Sequence, residues 1–295
     1  MTDSVRDRAI ALYDRFTHEG LDRRAFMAEL SRIAGGAAAA QALLIAIAAD
    51  PAAAAITMPD DPRLRTREHR WRGGAGRALK GYMAEPATNA GKFGAVLVIH
   101  ENRGLNDHIR DVARRFALAG YRALAPDFLS PVGGTPANED AAREAIGKLD
   151  LDAAVADGVA TVAQLRTMPR TNNRAAVVGF CWGGAMTNRI AVAGGKDVAA
   201  AIPYYGPAPD PALASRVACP MLIHLAERDA RVNATAIPWA EALKAAGKQV
   251  QLIVHPGVDH AFNNDTSAAR YDKAAADQAW AETLKLLGST IGVAT

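Results

Sequence analysis

The chain has 295 residues, half of them hydrophobic and 22% charged, a balance that fits a globular protein and excludes a disordered or collagen-like chain. Its 34 basic and 31 acidic residues are interleaved and leave a formal net charge of +3, so no basic footprint for a nucleic acid stands out. The two cysteines, Cys181 and Cys219, are too few for a disulfide framework or a cysteine zinc site.

In chain order, residues 1–57 form a segment of their own. Val5, Ala9, Leu12, Tyr13 and Phe16 recur at helical spacing, and Gly20 breaks the pattern. Asp22 reads as the N-cap of a second helix beginning Arg23-Arg24-Ala25-Phe26-Met27. An uncharged, alanine-rich stretch from Ile33 to Ala49 follows, ended by Asp50-Pro51 and then Ala52 to Ala55. Two readings stand side by side. In one, Arg23-Arg24, the apolar stretch and the small residues form a twin-arginine export signal, placing the mature protein outside the cytoplasm. In the other, two or three helices pack on the main domain of a cytoplasmic protein. Their apolar stripe must bury against something, which makes them a candidate interface for a homo-oligomer. The alanine-rich stretch is too short and too weakly apolar for a membrane span.

Residues 58–72 read as a polar connection, and residues 58–295 as one α/β domain. Its β-like runs are Leu79–Ala84, Ala95–His100, Arg122–Pro126, Ala175–Phe180, Ala199–Tyr204, Met221–Leu225 and Val250–Val254. Helical periodicity fits Asp107–Ala119, Glu139–Leu149, Asp152–Leu165, Met186–Ala193, Ala234–Ala246 and Ala268–Leu287. Strands such as Val96-Leu97-Val98-Ile99, apolar on both faces, call for a mainly parallel sheet covered by helices on each side. Ser130–Pro136 reads as a long loop and a candidate pocket wall.

The chemistry concentrates in Gly179-Phe180-Cys181-Trp182-Gly183-Gly184, where a buried-type strand turns sharply into a helix. This is a nucleophile elbow with cysteine in place of serine. Glycines at 179 and 183 leave room for neighbouring backbone, and the helix N-terminus favours an anion. A thiol near neutral pH needs a base. An acid and then a histidine follow the nucleophile in this architecture. Asp229 lies in the loop after Met221–Leu225, and His260 in the loop after Val250–Val254, where active-site groups collect in open α/β sheets. Glu227 reads as a surface group. Of seven histidines, His18 and His69 precede the core pattern, His108 starts a helix, and His100, His224 and His255 sit in or at strand ends as core or edge residues. Cys219 reads as core. No metal-ligand cluster appears, and no cofactor is expected.

Together, His100-Glu101-Asn102-Arg103-Gly104-Leu105-Asn106, the Cys181 elbow and Asp259-His260-Ala261-Phe262 resemble the dienelactone hydrolase (carboxymethylenebutenolidase) family over about residues 75–288. The resemblance implies an α/β-hydrolase fold and a Cys181–His260–Asp229 triad working through an acyl-thioester on small esters or lactones. It implies that Glu101 hydrogen-bonds the resting thiol, and that the backbone N–H groups of Asn102 and Trp182 form the oxyanion hole. A carboxylate beside a thiol disfavours the thiolate and protects it from oxidation. The resemblance also implies arginines that hold a substrate carboxylate. The matching stretches here are Phe262-Asn263-Asn264-Asp265 and Phe128-Leu129-Ser130-Pro131, without arginine. Arg103, Asn263 and Asn264 remain as substrate-binding candidates, and a less anionic ester or lactone is expected. A redox or sensor thiol paired with Cys219, and a non-catalytic binding protein on the same scaffold, are the alternative readings.

Overall fold

Seven of the eight strands among the described residues grow from the apolar runs, and their order in space creates the site. The computed structural model describes residues 4–48, 55–88 and 91–293. β1 is Leu64–Arg72, β2 Ala78–Pro86, β3 Phe93–Ile99, β4 Arg122–Asp127, β5 Thr171–Phe180, β6 Val198–Tyr204, β7 Met221–Ala226 and β8 Val250–His255. They form one sheet in the order β1-β2-β4-β3-β5-β6-β7-β8. The first two pairings, β1 with β2 and β2 with β4, are antiparallel, and the remaining pairings are parallel. This is the α/β-hydrolase arrangement foreseen above. All of β3 is buried, as its unbroken apolar run requires of a central strand covered on both faces.

Residues 64–72 correct the reading of 58–72 as a connection. β1 is an edge strand in which only Leu64 and Trp71 are buried. Its five charged side chains mask it as a linker, and charge is a common guard for an exposed edge.

Helices α4 (Asp107–Leu118) and α9 (Lys273–Thr290) cover one face, through Ile109, Val112, Phe116, Ala279 and Leu287. On the other face lie α6 (Leu151–Thr167), α7 (Trp182–Ala193) and α8 (Ala230–Ala245), through Val162, Ile190, Val232 and Trp239. The short α5 (Glu139–Gly147) closes a smaller cluster with Leu129.

The N-terminal segment folds into α1 (Val5–His18), α2 (Arg23–Ala34) and α3 (Ala37–Ile47). Ser4 and Asp7 form a capping box on α1, and Asp22 caps α2 through the N–H groups of Arg24 and Ala25. Gly35, left-handed at φ 81°, and Gly36 separate α2 from α3, which bend by 106°. Among the described residues, no single helix is long and apolar enough to cross a membrane. The stripe Ile10, Leu12, Tyr13 and Phe16 is buried with Phe26 and Leu30 inside this arm, against Ala269 of the main domain. Most of the stripe is thus buried within one chain, while Val5 stays exposed. Arg23 pairs with Asp140 of α5. The small residues read as a cleavage region fall mostly on Ala52 to Ala54, with Asp50 and Pro51, outside the described residues.

Candidate active site

β5 ends at Phe180 and α7 begins at Trp182, so Cys181 alone makes the turn, at φ 55° and ψ −112°. A positive φ at a non-glycine residue is strained and must be held by its surroundings. Here the Cys181 N–H donates to Tyr204 O at 3.0 Å, and Cys181 O accepts from Ala185 N–H at 3.0 Å. The flanking glycines are sterically required. A Cβ on Gly179 would lie 2.1 Å from Gly183 O, and one on Gly183 would lie 2.3 Å from Ile99 O. Cys181 is 5% exposed.

Asp229 follows β7 and caps α8, its Oδ1 accepting from Val232 N–H at 3.2 Å. Its Oδ2 lies 2.5 Å from Nδ1 of His260, which follows β8. Both residues are buried. Burial opposes a charge on His260, but the Asp229 carboxylate and Cys181 outweigh it and hold the imidazole well above its usual range. For Asp229 burial likewise works against the charged form, and His260 overcomes it to lower the carboxyl. Nε2 of His260 is buried without a hydrogen-bond partner among the described residues and lies within 4.8 Å of the Cys181 sulfur. The structure therefore brings Cys181, His260 and Asp229 together from three separate loops.

Glu101 differs from the expectation. Its Oε2 accepts from Asn264 Nδ2 at 2.8 Å, and its Oε1 is buried with no hydrogen-bond partner among the described residues. Among the described residues the expected bond from the resting thiol to Glu101 is not made; the Cys181 sulfur instead lies 4.0 Å from Nε2 of His18. Asn264 is committed to this contact, and Asn263 is buried beside it. Arg103 pairs with Glu139 and donates to the Tyr13 hydroxyl. His100 is the satisfied core histidine foreseen above. Its Nδ1 meets Glu101 O at 2.7 Å, and its ring stacks on Trp182 at 5.2 Å. Glu227 is exposed and accepts from Gly257 N–H, as expected of a surface group.

Residues discounted or passed over in the sequence complete the site. His18, at the end of α1, puts Nε2 4.0 Å from the Cys181 sulfur, and its ring meets His260 edge-on at 4.8 Å. Burial pushes its imidazole well below the usual range, and the charge of His260 adds to this. Arg270 lies under the Tyr13 ring at 5.1 Å, donates to Ile47 O and Ser267 Oγ, and reaches Asp14 at 3.7 Å. Asn102 Nδ2 donates to Thr17 O at 3.2 Å, and Arg143 donates to Phe16 O. These two bonds satisfy carbonyls left open by the last turn of α1. Helical spacing in residues 5–18 signals a buried face, and nothing in it tells which site that face covers.

A cavity of about 630 Å³ is lined in part by Lys80, Tyr82, Arg103, Thr135 and Asp265, and Cys181, Asp229 and His260 are not in its wall. The Ser130–Pro136 loop supplies part of its wall. A second, of about 570 Å³, runs between the end of α1 and α5 and reaches His18.

The dienelactone hydrolase family model matches residues 79–291. The chain belongs to the dienelactone hydrolase family. The match takes in the whole parallel sheet and leaves out the N-terminal arm and β1. A protein named "Putative carboxymethylenebutenolidase" from Escherichia coli K12 is 30% identical over 224 residues, covering 70% of this chain and 81% of that protein. A putative hydrolase fragment from the same organism is 58% identical over 72 residues, covering 24% of this chain and 62% of the fragment's length. The crystal structure of a "Putative Dienelactone Hydrolase" from Klebsiella pneumoniae superposes with a TM-score of 0.67 at 26% identity, over 76% of this chain and 99% of that one. As a dienelactone hydrolase family member the protein is a hydrolase.

Proposed function

We propose that this dienelactone hydrolase relative cleaves small esters or lactones through an acyl-thioester on Cys181. The observation that carries the reading is a buried Asp229–His260 pair whose free Nε2 faces a thiol on a strained elbow. His260, which Asp229 and Cys181 hold in its protonated form, carries the thiol proton while the sulfur attacks the acyl carbon as thiolate, and then delivers it to the leaving oxygen. Asp229 fixes the tautomer and stabilises the imidazolium. The backbone N–H groups of Trp182 and Asn102 hold the oxyanion. Water cleaves the acyl-thioester with His260 as base, regenerating the thiol. Glu101 tempers the resting sulfur by its charge, held in place by Asn264, while Arg103 and Asn263 border the substrate.

Arg103 and Arg270 are engaged with Glu139, Tyr13 and Asp14. That favours a substrate without a second carboxylate, since a clamp for one needs an uncommitted guanidinium. In this reading residues 58–295 are the catalytic domain and residues 1–57 an arm that roofs its site. The redox alternative loses support from the position of Cys219. It packs with the cluster on the opposite face of the sheet from Cys181, and burial pushes its thiol up to about 12.

The test is turnover of p-nitrophenyl acetate by the wild type and by Cys181→Ala and Cys181→Ser. Cys181→Ala is expected to lose at least about 10³-fold in kcat/KM, as removal of a covalent nucleophile does. Undiminished turnover in that variant overturns the proposal. A panel of esters and lactones, each with and without a free carboxylate, tests the substrate class.

A further inference from the structure

We propose that His18, Cys181 and His260 form a binding site for a divalent cation of the zinc class, the arm supplying one ligand and the catalytic domain two. One donor atom from each of the three residues lies within 4.8 Å of the other two. Around a tetrahedral zinc, with Zn–S about 2.3 Å and Zn–N about 2.0 Å, ligand atoms stand roughly 3.3–3.6 Å apart. Closing the triangle therefore needs movement on the order of 1 Å from the side chains. One sulfur and two imidazoles, with a fourth position for water, is a donor set that zinc accepts and that magnesium or calcium does not.

Two further observations point to a ligand. His260 Nε2 is a buried polar atom with no hydrogen-bond partner among the described residues, aimed into the triangle. Its other ring nitrogen is held by the Asp229 carboxylate at 2.5 Å, the outer contact that orients metal-binding histidines. A cavity of about 570 Å³ is lined in part by His18, the ligand that the arm supplies.

Binding forms one Zn–S and two Zn–N bonds without oxidation or reduction. One proton leaves to water, from the sulfur or, where the sulfur has already passed it on, from His260 Nε2. A sulfur that shares its lone pair with the cation is a weaker nucleophile toward an acyl carbon, and the cation ties the end of α1 to the domain over it. The cation is thus a reversible blocker that closes the site. Only this last consequence rests on the proposed hydrolytic role of Cys181; the binding itself does not.

The test uses the full chain, freed of metal with a chelator, and cobalt(II) as a spectroscopic stand-in for zinc. One equivalent of cobalt is expected to give tetrahedral visible absorption and a thiolate-to-cobalt charge-transfer band in the near ultraviolet, both abolished by zinc in competition. Cys181→Ser is expected to lose the charge-transfer band, and Cys219→Ser to keep it. His18→Ala and the similarly sized His18→Gln are expected to weaken zinc at least about tenfold, since even outer-shell losses cost 10–100-fold. Circular dichroism confirms that the variants are folded. Cobalt bound without a thiolate band in the wild type overturns the site, and so does zinc affinity unchanged in both His18 variants. Ester turnover of the metal-free protein is followed separately. Absence of the band with turnover intact refutes the cation site alone, and turnover surviving in Cys181→Ala refutes the hydrolytic reading alone.

Discussion

Asp229→Asn separates catalysis from stability at a single oxygen. In the wild type Oδ2 faces Nδ1 of His260 at 2.5 Å, while Oδ1 caps α8 through Val232 N–H at 3.2 Å. Asparagine keeps an oxygen for the cap and places an NH₂ group against Nδ1. That amide donates to Nδ1, so the imidazole must carry its proton on Nε2, the atom that receives the thiol proton in the proposed mechanism. The charge that supports the imidazolium also disappears. For the same change in a Ser-His-Asp triad the loss is on the order of 10⁴ in kcat. Thiols ionise more readily than serine, so a loss of roughly 10²–10⁴ is expected here, or about 3–5 kcal/mol of barrier. The stability loss is smaller, about 1.5–3 kcal/mol for one buried hydrogen bond to a charged group. Stopped-flow turnover of p-nitrophenyl acetate measures the first, and urea unfolding the second. Turnover within threefold of wild type in a folded Asp229→Asn protein would falsify the role given to the Asp229–His260 pair.

Three more outcomes follow from the packing. Gly183→Ala drives a methyl to 2.3 Å from Ile99 O and 2.6 Å from His100 O, both backbone, so it should displace the Asn102 loop. Activity is expected to fall at least tenfold with a loss of more than about 1 kcal/mol, and a wild-type rate and melting temperature would contradict this. Asn264→Ala leaves Glu101 Oε2 buried without its donor, at a cost of about 1–3 kcal/mol readable by denaturant titration. His18 sets a pH dependence for the arm. Its imidazole is held below the usual range when docked, so the undocked form binds the extra proton. Docking is then fully present above about pH 6.5 and weakens as pH falls through that value toward the lowered one. His260, shifted upward, works with the opposite sign, so the His18 share must be isolated by substitution. Proteolysis between α1 and β1 should quicken on acidification in the wild type and stay level in His18→Gln. Equal acceleration in both proteins would rule the histidine out.

Local pattern alone determined much of this protein. Apolar runs without alternation gave the parallel strands, because a strand buried on both faces has no polar side to show. Gly179 and Gly183 around Cys181 marked the elbow, because backbone oxygens stand where any side chain would sit. Chain order pointed to Asp229 and His260, since loops at one end of such a sheet converge whatever their sequence separation. The arm was legible only as helices. Caps and helical spacing are written within a few residues, and they locate a buried stripe without naming its counterpart. That His18 faces Cys181 across 163 positions, that Asn264 rather than the thiol holds Glu101, and that charged residues 64–72 form an edge strand were decided in three dimensions. Each depends on a partner distant in the chain, and a side chain's type does not say which distant surface will be left for it to meet.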